Sequence, residues 1–184
     1  MSEVLTPMLQ NIVERYYIGD QWEYYCPENA DWISYGWMGG LMNTYPMLAL
    51  GDEEHFRKVK NTFDFGLPRA KGKSGYYYDV LGSDGKVLYR DAAVNNPGIS
   101  LTRKNGDVLY WMIKQFMLLK EQGKANIIDV EWETNVRLLA DAFVNTWKKQ
   151  GTWGNYLDVE TGNVAVYNTT SGAITIAGLA LASG

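Results

Sequence analysis

Two hydrophobic patterns alternate along the chain. Residues 33–50, 107–119 and 171–183 are apolar almost all round. The first and last carry no charge, and the second carries only Lys114 beyond its opening residue. Segments of this kind are read as helices buried on most sides, with Pro46 kinking or ending the first. Between them, residues 53–66 place Phe56, Val59 and Phe63 on one stripe with charges between. Residues 130–150 place Trp132, Val136, Leu139, Phe143 and Trp147 on another, with charges opposite. Such spacings mark one-sided helices. Residues 3–17 form a further helix ending at Gly19. The connections at Gly51-Asp52 and 123–129 are short, so consecutive helices pair antiparallel. The alternation predicts a mainly α fold: a partial α/α toroid of antiparallel helix hairpins, charge-poor helices inside and amphipathic ones outside.

Short β-hairpins separate the units. Residues 75–80 and 86–89 flank a Ser83-Asp84-Gly85 turn, and residues 154–159 and 164–167 flank Thr161-Gly162-Asn163. The tips are turn chemistry and the flanks are β-formers. Gly75, Tyr77, Asp79 and Val80 recur as Gly154, Tyr156, Asp158 and Val159, an offset of 79 residues. A repeat of that size implies stacked units sharing one core. Leu48-Ala49-Leu50-Gly51 leads from an inner into an outer helix, and 179–184 repeats that juncture. The reading is therefore a single domain over 1–184, expected to be a piece of a longer toroid protein that holds roughly two and a half hairpins, with self-association possible through the open ring edge.

Composition narrows the function. A net charge of -4 with no long basic run argues against nucleic-acid and anionic-membrane partners. Gly36, Gly39, Gly40, Asn43 and Pro46 argue against a membrane span in 33–50. The first nine residues lack a basic segment followed by an apolar one, so no secretory leader is read there; the compartment stays undecided. Cys26 is the only cysteine and His55 the only histidine. That excludes an internal disulfide and a Cys/His zinc site. No metal and no cofactor is expected. Aromatic residues make up 14% of the chain, with seven Trp and thirteen Tyr. Many stand in return segments, where they suit sugar rings or fill gaps between helices.

The start Gly36-Trp37-Met38-Gly39-Gly40-Leu41-Met42 of one inner helix, the turn Leu48-Ala49-Leu50-Gly51-Asp52-Glu53-Glu54, and the start Gly106-Asp107-Val108-Leu109-Tyr110-Trp111 of another resemble those of the six-hairpin glycosidases, the bacterial (α/α)6-barrel glycoside hydrolases and their lyase relatives. The resemblance covers most of residues 30–184. It implies a site on the ring face where outer helices return to inner ones, an oligosaccharide or polysaccharide partner, and Asp or Glu as general acid and base.

Asp31 and Asp107 are the catalytic candidates. Each sits at an inner-helix start beside aromatics that favour a protonated carboxyl, although helix capping is the simpler account of either alone. Trp32, Tyr35, Trp37, Arg103, Asn105, Trp111, Trp153, Tyr156 and Tyr167 are candidates for sugar contact. Arg103-Lys104-Asn105 reads equally as a basic surface turn. Asp79 and Asp158 recur by period and read as structural. Three functions stay open: a glycoside hydrolase, a non-catalytic helical-repeat module binding glycan or protein, and a polysaccharide lyase, which the single histidine weakens.

Overall fold

An aspartate opens each of the two amphipathic helices. Asp52 accepts from the backbone N–H of His55 at 2.7 Å, starting α3 (Glu53–Ala70). Asp129 accepts from Glu131 N–H at 2.8 Å, starting α5 (Val130–Gln150), which ends on Gly151 at φ 68°. Both carboxylates satisfy free N–H groups at the positive end of a helix. The computed structural model describes residues 2–18, 21–22, 32–34, 40–50, 52–88, 96, 98–167 and 172–184. Its other helices are α1 (Ser2–Tyr16), α2 (Gly40–Leu50), α4 (Thr102–Glu121) and α6 (Ala173–Ala182).

Helices α2, α4 and α6 lie side by side with α4 in the middle, while α3 and α5 follow them as an outer layer. The two layers close on a core that includes Phe63, Tyr76, Leu109, Met112, Leu139 and Phe143, all fully buried. The outer helices also meet each other: Trp132 Nε1 donates to Asp64 Oδ1 at 3.0 Å, and its ring stands edge-on to Phe63. Helix α1 packs beside α2 through Leu9 and Val13. At its end Tyr17 donates to the Lys58 carbonyl of α3. The order along the chain is therefore outer, inner, outer, inner, outer, inner.

Several boundaries differ from the sequence reading. Ile33 and Ser34, expected at the start of a helix, fall instead in strand β3 (Trp32–Ser34), which pairs antiparallel with β4 (Val80–Gly82). The β-formers Trp32 and Ile33 suit a strand. The first hairpin is accordingly irregular: Leu81 bridges to Val87 and a turn forms at 82–86, but the strand partner is β3. Short strands β1 (Tyr17–Ile18) and β2 (Gln21–Trp22) pair near α1. The second hairpin forms as expected from β6 (Tyr156–Asp158) and β7 (Val164–Val166), and β5 (Ile99–Leu101) adds a third strand. The two repeats dock directly: Ser74 Oγ donates to the Val159 carbonyl, and Tyr76 Oη donates to Thr146 Oγ1, which donates on to the Gly162 carbonyl.

Helices α4 and α6 approach through glycine. A Cβ on Gly106 would lie 2.7 Å from Ile174 Cγ2 and Thr175 Oγ1, and 3.1 Å from the Thr175 backbone nitrogen. Alanine is the better helix former by about 1 kcal/mol, but this contact cannot relax without moving backbone. Gly106→Ala should therefore destabilise by about 1–3 kcal/mol. Urea unfolding should show a lower midpoint at unchanged slope.

One expectation about burial fails. Charge-free α6 was read as buried on most sides, yet its only buried residues are Thr175 and Gly178, and Ile176 is 59% exposed. Its apolar surface faces outward beside α5, where Trp147 is 51% exposed. Four of the five residues in the α5 stripe are buried and Trp147, the last, is not.

Candidate functional site

Helix α4 starts at Thr102, five residues before the sequence reading placed it. That moves Asp107 into the second turn, where it cannot cap the helix. The carboxylate at this helix start is Asp79. It accepts from the backbone N–H of Leu101 at 3.2 Å and from the Ser100 hydroxyl, and Lys104 Nζ lies 3.3 Å away. Both charged side chains are buried, at 10% exposure for Asp79 and 6% for Lys104. Burial pushes the Asp79 carboxyl above its ordinary range, opposed by Lys104, Ser100 and the Leu101 N–H.

Asn105 completes this knot. Its amide donates to the Tyr77 carbonyl at 3.1 Å and to Ser100 Oγ at 2.7 Å, while its oxygen accepts from Tyr77 N–H at 2.7 Å. Asn105 is 1% exposed. These bonds within the fold make it a tether between the first repeat and α4. Lys104, read as part of a surface turn, is a buried ion-pair partner. Asp79 and Asp158 share a repeat position but not a role: Asp158 accepts from the N–H groups of Glu160 and Thr161 in its own turn.

The sides of α4 can be assigned from its neighbours. Trp111 and Gln115 face α2, where Trp111 lies 5.5 Å from Tyr45 and Gln115 donates to the Leu41 carbonyl. Gly106 and Leu109 face α6, and Phe116 and Leu119 join the core. Arg103, Asp107, Tyr110 and Lys114 follow one another at four, three and four residues, so they share the remaining, concave face. The Arg103 guanidinium Nε is 4.0 Å from Asp107 Oδ2, with Arg103 exposed and the Asp107 side chain 8% exposed. The Tyr110 ring stands edge-on to Trp111 at 5.3 Å. A nearly buried carboxyl approached by one guanidinium, with the Tyr110 phenol ring one turn further on, thus lies on this face. This stripe can hold an acid–base group beside an anionic or hydroxyl-rich ring.

No protein-family model matches the chain, and no curated protein matches it by sequence. Two solved structures do match in shape. Unsaturated glucuronyl hydrolase from Bacillus sp. GL1, described as responsible for glycosaminoglycan degradation, superposes with a TM-score of 0.71 at 16% identity, over 98% of this chain and 49% of that one. UGL with an aspartate replaced by asparagine, together with dGlcA-Glc-Rha-Glc, gives 0.69 at the same identity and coverage. The chain folds as a partial α/α toroid. It spans about half the length of the structures it matches.

Within that partial toroid the sequence candidates fall into three groups. Arg103 and Asp107 approach each other on α4, while Trp111 stands on the side of the same helix that faces α2. Trp153 and Tyr167 instead sit on α5: Trp153 Nε1 donates to the Phe143 carbonyl at 2.7 Å, and the Tyr167 hydroxyl lies 3.4 Å from Gln150 Oε1. Tyr156 is half-buried in β6, opposite Leu101. Asp31, Tyr35 and Trp37 lie outside the described residues, and Trp32 is described only as the first residue of β3. The other described return-segment carboxyls are engaged elsewhere: Asp84 with Lys86, and Glu160 with Lys73 and Tyr78. Tyr45, Tyr110 and Lys114 are not among the sugar-contact candidates of the sequence, although Tyr110 stands in the helix-start motif beside Asp107. For the last two, their helical spacing from Arg103 was the available signal. Among the described residues no cluster of His, Cys, Asp or Glu could hold a metal ion, and no helix is long and apolar enough to cross a membrane.

Proposed function

We propose that the chain is a carbohydrate-active partial toroid that works as part of a glycoside hydrolase, with Asp107 as a general acid or base. The concave stripe on α4 supports this reading. Arg103 and Lys114 offer cations to a uronate carboxylate or to hydroxyls, and Trp111, Tyr110 and Tyr45 offer ring faces. The toroid it is built on is shared with a hydrolase of unsaturated glucuronides. Glycoside hydrolysis needs a second carboxyl across the bond. Asp31, or a residue from the rest of the ring, would supply it.

The test is a panel of aryl-glycosides, neutral oligosaccharides and unsaturated uronyl oligosaccharides, followed by release of reducing ends and by calorimetric binding. Cleavage of the uronyl members above the neutral ones is expected. Binding without cleavage of any member would favour the second reading, a glycan-binding helical module, for which the aromatic pair of exposed Trp147 and half-buried Trp153 speaks. Neither binding nor cleavage across the panel would sink both.

A further inference from the structure

Outer helices α3 and α5 meet along a crevice in the outer layer. It consists of two hollows of about 380 and 360 Å³, which share Pro68, Val130, Glu131 and Asn135. The concave stripe stands on inner helix α4, so this crevice is a separate place in the fold.

Asn135 is its nearly buried polar group, at 6% exposure. Lys71 Nζ donates to its Oδ1 at 2.7 Å. That contact fixes the orientation of the amide, because an ammonium has only donors to offer. The amide N–H2 is turned the other way and donates to none of the described residues. A buried donor without an acceptor costs stability, so a ligand oxygen placed there gains.

The charges around Asn135 select the ligand. Lys60 and Asp64 pair with each other, and Asp129 is committed to the start of α5. Two charges of opposite sign remain, Lys71 and Glu131, and both line the second hollow. Neither has an ion-pair partner among the described residues. An anion gains at Lys71 and loses at Glu131, and a cation does the reverse. A neutral hydroxyl uses both, since it accepts from the ammonium or the amide and donates to the carboxylate. Pro68 and Val130, the latter 72% exposed, add C–H surface beside these polar groups. Apolar walls with a few convergent polar groups are the general form of a small-molecule site.

We propose that this crevice binds a neutral saccharide unit. Asn135 Nδ2 and Lys71 Nζ donate to its hydroxyl oxygens, and Glu131 accepts from a hydroxyl. It holds sugar away from Asp107, and only the choice of ligand class rests on the carbohydrate reading.

Methyl glucoside, methyl glucuronide, glycine and inorganic phosphate, titrated separately into isotope-labelled protein, test this by nuclear magnetic resonance. The side-chain N–H2 signals of Asn135 are identified by their loss in Asn135→Asp, which keeps an oxygen for Lys71 and removes both donors. Methyl glucoside should shift those signals and the indole N–H of Trp132, which lines the first hollow. Methyl glucuronide should bind there no more tightly. Asn135→Asp should weaken glucoside binding, followed at Trp132, by about tenfold or more. Should that variant fail to fold, Glu131→Ala at an exposed position takes its place, with the same direction expected. Asp107→Asn and Arg103→Gln should leave the shifts unchanged, which separates this site from the catalytic reading. The proposal is overturned, whether or not the chain cleaves a glycoside, by glucoside that leaves Asn135 unmoved or by unaltered binding in Asn135→Asp. Tighter binding of glucuronide, glycine or phosphate at these signals, or loss of the shifts in the α4 variants, overturns it too.

Discussion

Replacing Lys104 with methionine should cost about 3–5 kcal/mol, because it leaves the Asp79 carboxylate buried without its cation. Asp79 lies at 10% exposure and Lys104 at 6%, so solvent screens the pair little. The loss should depend on pH. Burial already raises the Asp79 carboxyl, and removing Lys104 raises it further. The folded state then binds the proton more tightly than the unfolded state. Stability is retained below the ordinary carboxylate range and is lost as pH rises through it. Asp79→Asn should likewise cost several kcal/mol by stranding the ammonium, while keeping an acceptor for the Leu101 N–H. The double variant Asp79→Asn with Lys104→Met should recover most of the loss. Urea midpoints at acidic and neutral pH measure all of this, and additive single losses would show that the two charges do not interact.

That ion pair marks a limit of sequence reading. Arg103-Lys104-Asn105 is three polar residues in a row. A helix starting at Asp107 would leave all three in a turn. A helix starting at Thr102 separates them: Arg103 points to one side, and Lys104 and Asn105 reach into the first repeat. Five residues of boundary error put Asp107 at the helix start, where the carboxylate is Asp79. The signal for the earlier start is long-range, because Asp79 stabilises the helix end from 22 residues away, and no local propensity encodes such a partner.

What was legible was periodic. The α5 boundaries follow from Asp129, an unbroken one-sided stripe and Gly151, three agreeing local cues. Inner and outer layers followed from charge content alone, since an inner helix contacts protein on several sides and tolerates few charges. The same rule failed at α6, where absence of charge was taken for burial. That helix is inner by position, but α5 and α4 cover only part of it. The repeat motif was equally double-edged. It located both β segments, yet its equivalence of Asp79 and Asp158 holds for backbone position and not for side-chain partners.

The site itself yields the second large effect. If the chain cleaves a glycoside, Asp107→Asn should lower kcat by about 10²–10⁴-fold, the usual contribution of a general acid or base. Asparagine keeps the size of the side chain and can still bond, so the folded state should persist. Arg103 is 58% exposed, and loosening its 4.0 Å approach to Asp107 should cost little stability. KM should move less than kcat, because a proton-transfer group acts mainly in the transition state. Arg103→Gln makes the complementary prediction: KM rises for uronyl substrates and stays level for neutral ones, since the guanidinium recognises a carboxylate. A variant with Asn at 107 that keeps its full kcat would remove this residue from the chemistry. The stripe would then be a binding surface, and the proton donor would have to be sought at Asp31 or across the ring.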